Sequence, residues 1–184
     1  MIIQTERLQL RPFKLSDAVD FQRLAGNKDV ASTTLSIEHP YNQGLAEKWI
    51  RSSKIESAAG DLIAFAITLL SDYSFLGAIS LHLNDSRKQG ELSYWIGKPY
   101  WDHGYATEAV TRMLSLAFNT LKLDRVYAAH FTRNMSSGRV MQKAGMLYEG
   151  SQLGPTIKWG VLENLELYGI SRQQFDVNVS KNAL

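Results

Sequence analysis

Cysteine is absent from the 184 residues, which excludes disulfides, thiolate metal sites and a cysteine nucleophile. The 4 histidines are scattered along the chain, so no metal centre is expected from them either. No stretch approaches the roughly 20 apolar positions of a membrane-spanning helix. The first residues, Met1-Ile2-Ile3-Gln4-Thr5-Glu6, lack the basic start and apolar run of a signal peptide, so a cytoplasmic protein with no membrane partner is expected. Charge of one sign is missing too: 20 basic and 18 acidic residues interleave to a formal net charge of +2, and no basic block exceeds pairs such as Arg87-Lys88. Direct nucleic-acid binding, which needs a clustered basic face, is therefore not expected. Neither Gly-x-x-x-x-Gly-Lys-Ser/Thr, Gly-x-Gly-x-x-Gly nor Gly-x-Ser-x-Gly occurs, which argues against P-loop hydrolases, dinucleotide-binding enzymes and serine hydrolases.

What is present is an ordinary globular composition, 45% hydrophobic and 21% charged, long enough to bury a full core. No repeat, linker or low-complexity run divides the chain. One domain over residues 1–176 is expected, with a loose tail at 177–184. The most informative stretch runs from Tyr94 to Val110 and reads as a strand, a tight turn containing Gly104, and a helix with Val110, Met113, Leu114, Ala117, Phe118 and Leu121 on one face. The N–H groups that open a helix have no intrahelical partner and carry the positive end of its dipole, so the turn is a candidate anion site made of main chain. Gly104 and Ala106 keep it open to close approach.

Around this turn the residues predict an α+β domain with a mixed, largely antiparallel sheet of about seven strands and about four helices. Thr5 to Phe13 alternates like a half-buried strand, and Ser16 caps a short helix. Residues 29–41 read as a loop, and a longer helix spans about 43–58. Segments 62–70 and 75–83 make an antiparallel hairpin. Glu91 to Ile96, the helix and Arg125 to Thr132 form a β-α-β unit with a parallel strand pair. A helix opens at Asn134 and stops at Gly145, and strands near 146–149 and 162–170 complete the sheet.

The strand Thr5-Glu6-Arg7-Leu8-Gln9-Leu10-Arg11, the strand Glu91-Leu92-Ser93-Tyr94-Trp95-Ile96, then Tyr100-Trp101-x-x-Gly104-Tyr105-Ala106-Thr107-Glu108-Ala109 and Asn134-x-x-Ser137-x-x-Val140-x-x-Lys143-x-Gly145 follow in one order and spacing. In these motifs the chain resembles the general-control-related N-acetyltransferase (GNAT) superfamily, most closely its ribosomal-protein N-terminal acetyltransferase (Rim-type) branch. The resemblance covers nearly the whole chain. It implies the acyl-CoA N-acyltransferase fold, in which the parallel pair is splayed. It also implies acetyl-CoA as co-substrate, with its diphosphate on the main chain of Asp102, His103, Gly104, Tyr105, Ala106 and Thr107. The pantetheine arm would lie along the strand ending Trp95-Ile96-Gly97, with Asn134 and Ser137 on the far side. Dimers are common in the branch. Two departures stand out: Trp101 occupies a place where the wider superfamily favours Arg or Gln, and Asp102-His103 replaces a small-then-basic pair, leaving an acid and a titratable ring beside the diphosphate.

The implied reaction is direct acetyl transfer to a primary amine, a protein N terminus (ribosomal or other) or a small amine, with no metal and no acyl-enzyme. The resemblance makes Glu91 the candidate base, acting directly or through water; the alternative is a solvated charge at a strand start. It makes Ser137 the partner of the coenzyme thiolate, although a serine there also suits capping, and Asn134 poses the same choice between pantetheine contact and N-cap. Glu163 and Tyr168 match the branch's last strand but are assigned to packing, as are the side chains of Trp49, Trp95 and Trp159. The competing expectation is a non-catalytic acyl-CoA sensor on the same fold. The segments 29–41 and 150–161 are expected to line the acceptor site as loops.

Overall fold

The computed structural model of the chain describes residues 1–84 and 86–182. Eight strands form one sheet in the order β1-β2-β3-β4-β5-β6-β8-β7: β1 (Ile3–Gln4), β2 (Leu8–Arg11), β3 (Leu62–Leu69), β4 (Phe75–Leu83), β5 (Gln89–Ile96), β6 (Arg125–Phe131), β7 (Leu147–Lys158) and β8 (Val161–Ser171). Every neighbouring pair is antiparallel except β5 and β6, which are parallel. That pairing holds only for Gln89 with Arg125, Gly90 with Val126 and Glu91 with Tyr127. Beyond Glu91 the two strands part, while β5 stays paired to β4 as far as Ile96.

Helices cover both faces. On one face lie α1 (Ala18–Ala25), α2 (Lys28–Ser32) and α3 (Leu45–Ala59), packing Phe21, Leu24, Val30 and Ile50 against Ala66, Phe75 and Ala78. The other face carries α4 (Tyr105–Ser115), α5 (Met135–Lys143) and α6 (Arg172–Asn182). There Val110, Met113, Leu114 and Phe118 meet Leu10, Ile67, Ile79, Leu81 and Val126. β4 is covered on both sides, so Phe75 to Leu81 is continuously buried and, but for Ser80, apolar.

Three elements exceed the sequence expectation: β1, too short to show a period, α2, inside the stretch read as a loop, and α6. α6 carries the chain from Arg172 to Asn182, through most of the expected tail; residues 183 and 184 lie outside the described residues. Residues 150–157 are not a loop but part of β7. Gly150 (φ 136°) and Gly154 (φ 58°) sit beside two register shifts against β8 and mark bulges in a long hairpin. At α1 the working residue is Asp17 rather than Ser16: its carboxylate accepts the Lys14 N–H at 2.7 Å and both arms of the Arg11 guanidinium at 2.7 and 2.8 Å. The ends of α3 and α5 fall at Gly60 (φ 82°) and just before Gly145 (φ 91°), as their left-handed conformations require.

Candidate active site

The parting of β5 from β6 opens a cavity of about 790 Å³ between the two helix layers. Glu91, Trp95, Ile96, Asp102, Gly104, Tyr105, Ala106, Thr107, Asn134 and Ser137 all line it. Gly97 and His103 are not among the lining residues. Gly97 is pressed against α1, where a Cβ would come within 2.8 Å of Leu24. The His103 ring hydrogen-bonds through Nδ1 to the Trp101 carbonyl at 2.6 Å and stacks on Tyr105 at 5.5 Å.

The turn has the geometry of the candidate anion site. Asp102 (φ 61°) and Gly104 (φ 80°) are both left-handed, and Asp is among the few side chains that tolerate this conformation. None of the backbone N–H groups from Asp102 to Thr107 finds an acceptor among the described residues, and α4 directs its positive end at them. Arg7 lies beside the turn, donating to the His103 carbonyl at 2.9 Å with its guanidinium 4.8 Å from the Tyr105 ring centre. A fixed cation therefore stands next to His103, supplied by β2's approach rather than by the turn. Arg139 and Lys143 add positive charge from α5. Trp101 closes the turn by donating Nε1–H to the Ile96 carbonyl at 2.6 Å.

A second feature suits an extended amide-bearing ligand. From Leu92 to Ile96 the β6 side of β5 is an unpaired strand edge facing the cavity, and such an edge recruits another extended chain. Across the gap, Asn134 accepts the Ser137 N–H at 3.4 Å and donates to the Thr33 carbonyl at 3.4 Å. Asn134 thus caps α5 and anchors the opposite wall at once. Ser137 Oγ lies 2.8 Å from the Tyr94 hydroxyl, which is also 3.0 Å from the Ser137 carbonyl. Burial pushes the Tyr94 phenol well above its usual range, while the Ser137 contact pulls only weakly the other way, so Tyr94 stays protonated. This tyrosine was not legible from spacing, because its partner is 43 residues distant.

Alternation along β5 puts Glu91, Ser93 and Trp95 on the α1/α3 side, where Trp95 packs on Phe21 (5.0 Å) and Phe21 on Trp49 (5.2 Å). Glu91 is exposed to the cavity and has no hydrogen-bonding partner among the described residues. The wall opposite these rings is the segment 33–37. It is held from two other strands: Lys158 at the end of edge strand β7 donates to the Ile37 carbonyl at 2.6 Å, and Arg133, just after β6, donates to the Ser32 carbonyl at 2.6 Å while pairing with Glu163 at 2.8 Å. Burial, with help from Arg133, lowers the Lys158 pKa against the opposing pull of Glu38. Of the two segments expected to line the acceptor site, 29–41 lends Val30, residues 33–37 and Tyr41 to the cavity, and 150–161 reaches that segment through Lys158. Glu163 is thereby engaged by Arg133, and Tyr168 is buried, accepting from Gln142 at 3.1 Å.

The architecture defines a coenzyme-binding transferase, with an anion-binding helix start, a free strand edge and a hydroxyl pair around one cleft. The sequence model of the acetyltransferase (GNAT) domain matches residues 7–147, and the chain belongs to this family. Among its relatives is YdaF of Bacillus subtilis, provisionally named a ribosomal N-acetyltransferase, which is 31% identical over 117 residues, 63% of this chain and 64% of YdaF. A GNAT-family acetyltransferase structure from Bacillus anthracis superposes with a TM-score of 0.84 at 24% identity, covering 94% of this chain and 99% of that one. The RimL structure, a ribosomal L7/L12 α-N-protein acetyltransferase in complex with coenzyme A, superposes with a TM-score of 0.84 at 15% identity, covering 93% and 98%. The two structures show the shared fold, and YdaF is the relative whose name points to the Rim-type branch. The chain is an acetyl-CoA-dependent N-acetyltransferase, and acetyl-CoA is its co-substrate. Nothing in the cleft favours a non-catalytic sensor.

Proposed function

We propose that this chain transfers the acetyl group directly to a single primary amine carried on an apolar or aromatic body, either a protein N terminus or a small monoamine. The observation that carries this reading is the composition of the cavity away from the turn: the rings of Phe21, Tyr41, Trp49 and Trp95 line it, and of the two carboxylates among its described lining residues, Glu91 and Asp102, Asp102 belongs to the turn. A polyamine presents several cations and needs several carboxylates. An α-amine also suits a modest base: at pH 7 about one in six is neutral, against roughly one lysine amine in 2,500.

In this reading the N–H groups of residues 102–107 hold the diphosphate and the edge of Leu92 to Ile96 holds the pantetheine amides. Asn134 and Ser137 close the far side. Glu91 takes the amine's proton, directly or through water. Ser137, backed by the protonated Tyr94, donates to the departing sulfur. Acetyl-CoA supplies the activated acyl group; the chain's part is orientation and proton movement.

Two variants test the assignment by thiol release. Ser137→Ala is expected to lower kcat about tenfold or more with little change in the KM for acetyl-CoA. Glu91→Gln is expected to move the acid limb of the pH–rate profile. Unchanged turnover in the first, or an unmoved limb in the second, removes that residue from the mechanism.

A further inference from the structure

The antiparallel register of β4 and β5 sets His82 directly opposite Glu91. Residues so paired share a face, with Cβ atoms about 5 Å apart. Both side chains are exposed, and both line the cavity at the point where β5 and β6 part. Neither has a hydrogen-bonding partner among the described residues. The next rung on the same face is Ser80 opposite Ser93, both also lining the cavity, followed by Ala78 opposite Trp95. A polar track two rungs long therefore runs from the aromatic cup to the open end of β4.

We propose that the base of this enzyme is a pair: Glu91 meets the acceptor amine, and His82 receives the proton from it and passes it to water. The inference rests on the acetyl-transfer reading above. It adds to that reading a group that carries the proton onward from the carboxylate to solvent. A carboxylate is a weak base near neutral pH, whereas a neutral imidazole accepts a proton there. The incoming ammonium gives up one proton through Glu91 to His82 and then to solvent. The freed lone pair forms the N–C bond to the acetyl carbon and the C–S bond breaks. The second nitrogen proton leaves by the same path, and the sulfur takes one from Ser137, replenished through Tyr94 from water. The balance is one ammonium and one thioester consumed, one amide, one thiol and one free proton formed.

Among the described residues the surroundings leave this pair to itself. Leu62 faces His82 from β3 and does not titrate. Asp61, beside it, is paired with Arg87 at 3.3 Å. Beyond Glu91 comes Tyr127 of β6, with Arg125, 5.4 Å from its ring centre, bound to Glu149. His82 acts through Glu91 and is a proton-relay residue rather than a group that touches the acetyl donor.

The test is the pH dependence of thiol release for the wild type, His82→Ala and His82→Gln, with a monoamine acceptor. Both variants are expected to lose at least about tenfold in kcat near neutral pH, where a neutral imidazole can take the proton, to lose less at acid pH and so change the acid limb, and to keep the wild-type KM for acetyl-CoA and thermal midpoint. Added imidazole is expected to restore turnover to His82→Ala. The proposal is overturned if His82→Gln keeps the wild-type acid limb and turnover, or if imidazole restores nothing to an impaired His82→Ala. A wild type that releases no thiol with any amine overturns the acetyl-transfer reading instead.

Discussion

Gly138 shows what a single missing side chain does in this site. It sits on α5 against His130, whose ring is buried, stacks on Tyr168 at 5.5 Å and engages the Phe131 carbonyl through Nδ1 at 2.8 Å. A Cβ at position 138 would approach His130 Nε2 to 2.7 Å, and that nitrogen has no partner among the described residues. The helix can lie this close to β6 only because residue 138 ends at its Cα. Gly138→Ala is expected to destabilise the fold by about 1–3 kcal/mol, as overpacking of a tight core does. In a double-mutant cycle read by denaturant unfolding, His130→Val is expected to recover most of that loss. Additive losses would show that the contact is not the cause. At this scale the legible residues were those in local motifs, such as Asn134 and Ser137. Tyr94, His82 and His130 meet partners on elements distant in sequence, and one sequence shows neither register nor packing.

The elements depend on a tether between the N terminus and α4. Glu108 in the first turn of α4 accepts from the Thr5 hydroxyl at 2.5 Å, the Arg7 N–H at 2.8 Å and the Arg7 Nε at 2.8 Å. Burial alone would raise its carboxyl pKa. The three hydrogen bonds and the Arg7 charge outweigh burial and hold it below the usual carboxylate range. A lowered acid pKa stabilises the fold above the ordinary glutamate value, near 4.3, and that stability is lost as pH falls through the lowered folded value. Glu108→Gln is therefore expected to lower the thermal midpoint at pH 7 and to flatten its fall between about pH 5 and 3. A wild-type slope in the variant would remove Glu108 as the cause. The same tether puts Arg7 beside the anion site, so a change here also reaches the donor. The long helices and the hairpin of β3 and β4 were readable from their periods. β1 and α2 were too short to show one, and the bulges of β7 disguised a strand as a loop.

Across the whole molecule, one topological fact creates the cleft: a single parallel pair in an otherwise antiparallel sheet, joined for three residues and then released. The β-α-β order that produces it was visible in the sequence, and so was the anion-binding turn. The divergence itself was implied only by family resemblance, because it depends on where hydrogen bonding stops. In the proposed reading the donor side is main chain and cations beside Asp102, and the acceptor side is aromatic with Glu91, walled by a segment that Lys158 of β7 and Arg133, just after β6, hold in place. The account's central claim is that this cleft acetylates single amines on apolar bodies. Thiol release from acetyl-CoA, measured with the wild type across α-amine peptides, aromatic monoamines and polyamines, tests it most directly. The predicted result is stoichiometric thiol and acetylated product, with kcat/KM for apolar monoamines or N-terminal amines at least about tenfold above that for polyamines, a difference of about 1.4 kcal/mol in transition-state binding. Polyamines as the preferred acceptors, or no thiol release with any amine, would contradict it.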